Sequence, residues 1–144
     1  MDRRESPYDG FIMDHIRDAR NFRSLPTSNR ESTGTNPLCG DEVTVLLRLA
    51  NGRVEEAAFQ CQCCGISMAS ASMMTDWAKG LTVAETRRFA HEFIGRLAGR
   101  PGAVPGKDSQ MERALLTTVR EFPRRVGCAI LPWTTLESML ENVE

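Results

Sequence analysis

The stretch VTVLLRLANGRVEEAAFQCQ, residues 43–62, predicts a β-hairpin and thereby the class of fold. Every second position in its first half is apolar, which places these side chains on one face of a strand. They are Val43, Val45, Leu47 and Leu49. Asn51-Gly52 favours the positive backbone angles of a tight turn, and a second strand then runs from Val54 to Gln62. Because the strands are antiparallel, residues near 41 and near 61 lie at the same end.

Helical patterns flank this hairpin on both sides. Residues 11–21 carry apolar side chains at helical spacing, which predicts a short first helix. Small residues and methionines without proline favour a closely packed helix over 65–80, ending at Gly80. Thr82 and Glu85 match a capping box that begins another helix, which ends near Leu97.

The remaining chain predicts two further helices and two irregular connections. Asp108 or Ser109 caps one helix, which must end before Pro123, and residues 131–144 form a closing helix. Cys128 is then expected in a short connection between the two helices. Residues 22–38 are predicted to be an irregular connection and 98–108 a Gly/Pro-rich loop. We therefore expect a single α+β domain over 1–144, with a small antiparallel sheet covered by helices on one side.

Composition excludes several functional classes. Eighteen basic against nineteen acidic residues leave a formal net charge of -1, so no global field attracts nucleic acid or an anionic membrane. No apolar stretch approaches the roughly 20 residues that span a bilayer, and the start MDRRESPYDG has no signal-peptide hydrophobic region. These features predict a cytoplasmic protein. In a reducing compartment its five cysteines are more typical of metal-binding or reactive thiols than of a disulfide framework.

Three cysteines and an aspartate are candidate metal ligands. Cys39, Asp41, Cys64 and Cys128 could supply four anionic groups to one ion, and zinc accepts a tetrahedral shell of thiolates and carboxylate. Gly40 gives the backbone freedom to turn Cys39 and Asp41 toward one point, although such a motif alone also fits an ordinary turn. The predicted helix after Cys64 offers unpaired backbone amides that favour a thiolate.

Four segments resemble the SufU branch of the IscU/NifU-like iron-sulfur assembly family. NPLCGD (36–41), CGISMASASMMT (64–75) and RVGCAILPW (125–133) are similar to its signature segments, and IMDHIRDARN (12–21) is similar to its first helix. The resemblance extends from about Tyr8 to Leu140. The IscU branch typically has a histidine immediately before its last ligand cysteine, where this chain has Gly127.

The resemblance implies a compact α+β fold in which Cys39, Asp41, Cys64 and Cys128 bind zinc. It further implies that Cys39 accepts persulfide sulfur from a SufS-type, PLP-dependent cysteine desulfurase, after a histidine of that partner replaces Cys39 at zinc. The sulfur would pass to a downstream iron-sulfur scaffold or apo-protein. On this interpretation the protein is a sulfurtransferase, a sulfur carrier rather than a stand-alone enzyme.

Two alternatives use the same ligands. Cysteine thiolates hold iron-sulfur clusters as readily as zinc, so the protein could instead be a scaffold that assembles a transient [2Fe-2S] cluster or binds iron. The ion could also be purely structural, in which case its removal would unfold the domain.

Arg125 has two interpretations. It lies three residues before Cys128, so it could stabilise thiolate or persulfide charge near the metal. It could equally be an exposed member of the basic run Arg120, Arg124 and Arg125.

Cys61 and Cys63 occupy positions where the SufU-like pattern usually has glycines. They are interpreted first as inert small apolar residues, since a buried free cysteine behaves as a small hydrophobe. The alternatives are a resolving thiol for a persulfide and additional metal ligands. His15 and His91 are not expected to bind metal.

Overall fold

The computed structural model of the chain describes residues 10–36, 40–103, 106 and 109–141. Within these ranges the chain forms three strands, five α-helices and a short 3-10 helix at Pro123–Arg125. In chain order they are α1 (Gly10–Arg17), β1 (Arg30–Asn36), β2 (Asp41–Ala50), β3 (Arg53–Gln62), α2 (Gly65–Ala78), α3 (Val83–Leu97), α4 (Gln110–Glu121) and α5 (Val126–Leu140).

The strands form one antiparallel sheet in the order β1-β2-β3. The predicted hairpin is confirmed, since β2 and β3 pair through Val43 opposite Cys61, and the turn carries positive φ at Asn51 and Gly52. Val43 and Val45 are fully buried, whereas Thr44 between them is only half-buried, as the alternation predicts. One face of the sheet therefore belongs to the core.

Helices cover that face and confirm the α+β class. The closing helix α5 contacts α2, α3, β1 and β2, which places it at the centre of the molecule. Its Trp133 is fully buried and donates a hydrogen bond from Nε1 to Ser70 Oγ on α2, at 3.0 Å. Aromatic rings at positions 77, 89 and 93 pack around Trp133. None of the described helices has both the length and the apolar character of a membrane span.

The predicted helix boundaries are largely confirmed. Gly80 follows α2 with φ of 88°. Thr82 and Glu85 form the capping box of α3, and Ser109 caps α4 in the same manner with Glu112. The starts of α3 and α4 can be predicted from sequence because capping side chains bind the backbone N–H groups that have no partner in the first helical turn.

Residues 30–36 correct the prediction of an irregular connection over 22–38. They form strand β1, which pairs with β2 from Arg30 opposite Leu47 to Asn36 opposite Asp41. The strand has no apolar periodicity because backbone hydrogen bonding, rather than burial of large side chains, holds it at the edge of the sheet. Gly34 lies against Thr135 of α5, where a larger residue would not fit.

Cys128 corrects a second prediction. It lies in the first turn of α5 rather than in a connection, because α5 begins at Val126 and continues through Pro132. Proline is strongly unfavourable inside a helix, which is why the sequence suggested a later start.

Candidate metal centre

Three elements bring Asp41, Cys64 and Cys128 together. Asp41 begins β2, Cys64 is the N-cap residue of α2, and Cys128 lies in the first turn of α5. One ligand atom from each lies within 4.8 Å of the others. The donors of a tetrahedral zinc ion lie about 2.0–2.3 Å from it, and therefore about 3.3–3.8 Å apart. The described donors thus fit zinc in chemistry, and they lie near the spacing that it requires.

Cys39, the fourth predicted ligand, lies outside the described residues. The described residues before and after it are paired with each other, since Asn36 of β1 lies opposite Asp41 of β2. Gly40 has φ of 74° and donates its backbone N–H to the Asn36 carbonyl at 2.8 Å. A left-handed glycine is what a tight turn into β2 requires, because other residues adopt that conformation at a cost.

The carboxylate of Asp41 is held from two sides. Its Oδ1 accepts the backbone N–H of Cys64 at 3.0 Å, and its Oδ2 lies 3.0 Å from the hydroxyl oxygen of Ser67. Asp41 is only 5% exposed, so these bonds replace the water that the carboxylate gives up. The first hydrogen bond uses a free amide at the start of α2, which ties one candidate ligand to another.

Ser67 was not identified from the sequence, yet it links two of the candidate ligands. Its Oγ also lies 2.9 Å from the carbonyl oxygen of Cys128, so one hydroxyl proton is shared between two acceptors. The available signal was its position three residues after Cys64, which places it one helical turn away on the same face.

Pro132 explains why the Cys128 carbonyl receives this hydroxyl. In an uninterrupted helix the N–H of residue 132 would donate to the carbonyl four residues earlier, but proline has no N–H. Ser67 donates to that carbonyl instead. The proline inside α5 is therefore connected to the positioning of both Cys128 and Asp41.

Gly127 lies in restricted space. A Cβ built there would lie 3.0 Å from Asn36 Nδ2, so the side chain at the end of β1 occupies the region beside this position. A larger residue at 127, such as the histidine of the IscU branch, would require Asn36 to move.

Neither histidine is a member of the described cluster of Asp41, Cys64 and Cys128. His15 is 4% exposed and its Nδ1 lies 2.6 Å from Ser72 Oγ. Burial lowers the pKa of His15 below its ordinary value of 6.5, and the nearby cation of Arg20 acts in the same direction. His91 lies on the surface, with Nδ1 2.7 Å from Glu137 Oε2.

Arg125 is half-buried and serves as the N-cap residue of α5, one turn before Cys128. Arg120 and Arg124 of the same basic run are exposed. Arg125 is therefore less exposed than the other two arginines of the basic run. Its contribution to charge at the site stays a prediction.

Cys61 and Cys63 are joined by a disulfide, which includes neither Cys64 nor Cys128. The interpretation of the pair as inert free thiols is therefore wrong in this structure. Cys61 is the penultimate residue of β3 and Cys63 follows the end of the strand, and their Cα atoms lie 5.5 Å apart, within the usual range for a disulfide.

The family model described as NifU-like N terminal domain matches residues 7–129. The chain belongs to this NifU-like family. It is 34% identical over 137 residues to a Bacillus subtilis protein named zinc-dependent sulfurtransferase SufU, covering 95% of this chain and 91% of that protein. It is 30% identical to a Thermotoga maritima protein named iron-sulfur cluster assembly scaffold protein IscU, covering 94% of each.

A solved structure supports the NifU-like fold. It is that of a Fervidobacterium islandicum protein described as a putative iron-sulfur cluster assembly scaffold for the SUF system. It matches with a TM-score of 0.78 at 28% identity, covering 93% of this chain and 96% of that one. The predicted family and fold are thus confirmed.

Proposed function

We propose that this protein is a zinc-dependent sulfurtransferase that accepts persulfide sulfur from a PLP-dependent cysteine desulfurase for iron-sulfur cluster assembly. The observation that carries the proposal is the convergence of Asp41, Cys64 and Cys128 beside the segment that contains Cys39. The likeness to the Bacillus subtilis sulfurtransferase extends over 95% of the chain and supports this choice.

Cys39, Asp41, Cys64 and Cys128 are the proposed zinc ligands. Bound there, zinc would supply the positive charge that keeps cysteine thiols deprotonated at neutral pH. Cys39 is joined to Asp41 through Gly40 alone, so its Cα lies within about 7 Å of the Asp41 Cα. The proposed fourth ligand is thus close in the chain to Asp41, one of the described three.

The burial of Cys128 favours Cys39 over it as the sulfur acceptor. Cys128 is 1% exposed inside α5, and Asp41 is fixed by two hydrogen bonds, so both are suited to remain in place. Cys39 follows the end of β1, and neighbouring Gly40 has open space where a side chain would point. We therefore propose that Cys39, rather than Cys128, is the thiol that meets a partner protein.

Sulfur acceptance is a thiol exchange. The Cys39 thiolate attacks the terminal sulfur of the desulfurase persulfide, a new S–S bond forms at Cys39, and the donor S–S bond breaks. The donor cysteine leaves as a thiolate. Arg125 is proposed to stabilise the resulting persulfide anion, as a guanidinium forms strong charge-assisted contacts.

A desulfurase assay tests the proposal. Adding the purified, metal-bound protein to a SufS-type desulfurase and cysteine should accelerate alanine release, because sulfur is removed from the donor. Cys39→Ala should abolish the acceleration, while His91→Gln on the distant surface should preserve it. Unchanged alanine release with the unmodified protein would overturn the proposal.

Arg125 requires a test that excludes partner docking. With a small-molecule persulfide as donor, Arg125→Ala should slow the loading of Cys39 by about 10-fold, in line with the loss of one charge-assisted contact. The exposed Arg124→Ala provides the matched control and should load normally. Equal loading rates in the two variants would remove Arg125 from the site.

A scaffold function is the second candidate, favoured by the 30% identity to the Thermotoga maritima scaffold protein. The same four residues would then hold a [2Fe-2S] cluster as cargo. Anaerobic reconstitution with iron and sulfide, followed by transfer to an apo-protein, separates the two functions. Cluster formation and transfer without desulfurase activation would favour the scaffold.

A further inference from the structure

We propose that Cys61 and Cys63 are a redox-active dithiol pair that reduces the sulfur accepted by the protein and releases it as sulfide. This inference rests on the proposed function, since it needs a persulfide on the protein. It assigns a second chemical step to a pair of residues outside the candidate ligand set.

The position of the pair connects it to the site. Cys61 lies opposite Val43 in the β2-β3 ladder, and Gln62 lies opposite Glu42. The next residue, Cys63, lies just beyond the end of β3 and directly precedes Cys64. The backbone N–H of Cys64 in turn binds Asp41. The disulfide therefore lies next to the candidate ligand Cys64 in the chain. Its Cys61 pairs with Val43, two residues after the candidate ligand Asp41.

Both cysteines are reactive in principle. Cys61 and Cys63 pack against the edge of the core but remain partly exposed, so a thiol reagent or protein dithiol can reach them. The structure already joins them in the oxidised form, which establishes that their positions allow the pair to close.

A purely stabilising role explains the disulfide poorly. A disulfide stabilises a fold chiefly by restricting the unfolded chain, and the effect grows with the length of the closed loop. This bridge joins residues that are only two positions apart. It lies at the end of β3, which the hydrogen bonds to β2 already hold in place. Little unfolded-chain entropy is lost by closing so short a loop.

The chemistry that an adjacent dithiol supplies is a two-electron reduction. The terminal sulfur of a persulfide is sulfane sulfur, whereas iron-sulfur clusters contain sulfide. The Cys63 thiolate attacks the terminal sulfur on Cys39; the Cys39 S–S bond breaks and Cys39 leaves as a thiolate. The sulfur now forms a persulfide on Cys63.

The second thiol completes the reduction. The Cys61 thiolate attacks the Cys63 sulfur, the bond to the terminal sulfur breaks, and that sulfur leaves as hydrosulfide. The two thiols have lost an electron pair, which the released sulfur has gained, and the product is the Cys61–Cys63 disulfide. An external dithiol reductant of the thioredoxin class restores the pair by exchange.

A single-turnover experiment tests the sequence of steps. The full-length, metal-bound protein is reduced, freed of reductant under anaerobic conditions, and loaded with desulfurase and a limiting amount of cysteine. Free sulfide is then measured, and alkylated peptides are mapped by mass spectrometry. We expect sulfide release without added thiol, together with formation of the Cys61–Cys63 disulfide.

Single variants should stop the reaction at different positions. Cys61→Ser should hold the sulfur as a persulfide on Cys63, and Cys63→Ser should hold it on Cys39. Both variants should lose sulfide release and regain it when dithiothreitol is added. Their zinc content should equal that of the unmodified protein, because neither thiol is a proposed ligand.

The outcomes separate the two proposals. If the unmodified protein acquires no sulfur at Cys39, the proposed function fails. If sulfur is loaded but both serine variants release sulfide as the unmodified protein does, the reductive role is overturned. Loss of zinc from either variant would also overturn it, since the thiols would then be metal ligands.

Discussion

Ser67 is a single residue whose hydroxyl links two of the candidate ligands. Its hydroxyl contacts both Asp41 and the carbonyl of Cys128. Hydrogen-bonding partners of ligands typically contribute 10–100-fold to metal affinity, because they fix the orientation of the donor. We expect Ser67→Ala to weaken zinc binding by about 10-fold, measured by competition with a chelator.

Ser70 provides the matched control. It is another fully buried serine on α2 whose hydroxyl donates to a carbonyl of α5, that of Ala129, at 2.7 Å. Its described hydrogen bonds join it to Ala129 and Trp133, so Ser70→Ala should lower the free energy of unfolding while leaving zinc affinity intact. Equal losses of affinity in both variants would show that helix packing, not the bond to Asp41, controls the metal.

His15 predicts a pH dependence of stability. Its burial lowers the pKa in the folded state, with Arg20 adding to the shift and the carboxylates of Asp14 and Asp76 opposing it. The unfolded chain therefore binds a proton more readily than the folded one. The stability contributed by neutral His15 is complete above its ordinary pKa of 6.5 and is lost as pH falls below that value.

Urea unfolding at several pH values measures this effect. The free energy of unfolding should fall as the pH decreases below 6.5, and His15→Gln should flatten that part of the curve. A curve for His15→Gln that parallels the unmodified protein would contradict the assignment.

At the scale of elements, the packing of β1 on α5 depends on Gly34. A Cβ at this position would collide with Thr135 Oγ1 and lie 3.2 Å from Leu131 Cδ1. Gly34→Ala should therefore lower the free energy of unfolding by about 1–3 kcal/mol, the usual cost of overpacking. Thermal or denaturant unfolding measures the change.

Two further variants test the cause. Adding Thr135→Ala to Gly34→Ala should recover part of the loss, since it removes the atom in collision. Gly10→Ala in α1 has open space and should not destabilise the protein. If the double variant is as unstable as the sum of the two single variants, the strand and helix do not collide there.

Sequence reasoning succeeded where side-chain pattern determines the element. The alternation from Val43 and the turn at Asn51-Gly52 gave the hairpin, and Thr82 with Glu85 gave the start of α3. Strand β1 was missed because an edge strand of polar residues has no such pattern. The start of α5 was missed because tertiary contacts accommodate Pro132 inside the helix.

The candidate site was predicted only in part for a similar reason. The chemistry of Asp41, Cys64 and Cys128 is evident from residue type and resemblance, and the structure brings them together. The bridge through Ser67 depends on how α2 and α5 pack, which local sequence does not encode. The Cys61–Cys63 disulfide depends on whether those thiols are oxidised, which residue identity leaves open.

At the scale of the molecule, the core is expected to hold without metal. Fully buried residues such as Trp133, Phe93 and Leu47 lie on α5, α3 and β2, so the main elements pack independently of the ligands. Removing metal with a chelator should lower the melting temperature while preserving helical circular dichroism, since bound ligand stabilises only the folded state. Complete unfolding on chelation would instead indicate a structural zinc site.

The position of the accepted sulfur tests the central claim most directly. The metal-bound protein with Cys61→Ser and Cys63→Ser, in which onward reduction is blocked, is incubated with a cysteine desulfurase and cysteine. Peptides are then mapped by mass spectrometry for a gain of one sulfur atom. We predict that the added sulfur lies on Cys39; its absence from Cys39, or its presence on Cys64 or Cys128 instead, would contradict the proposed mechanism.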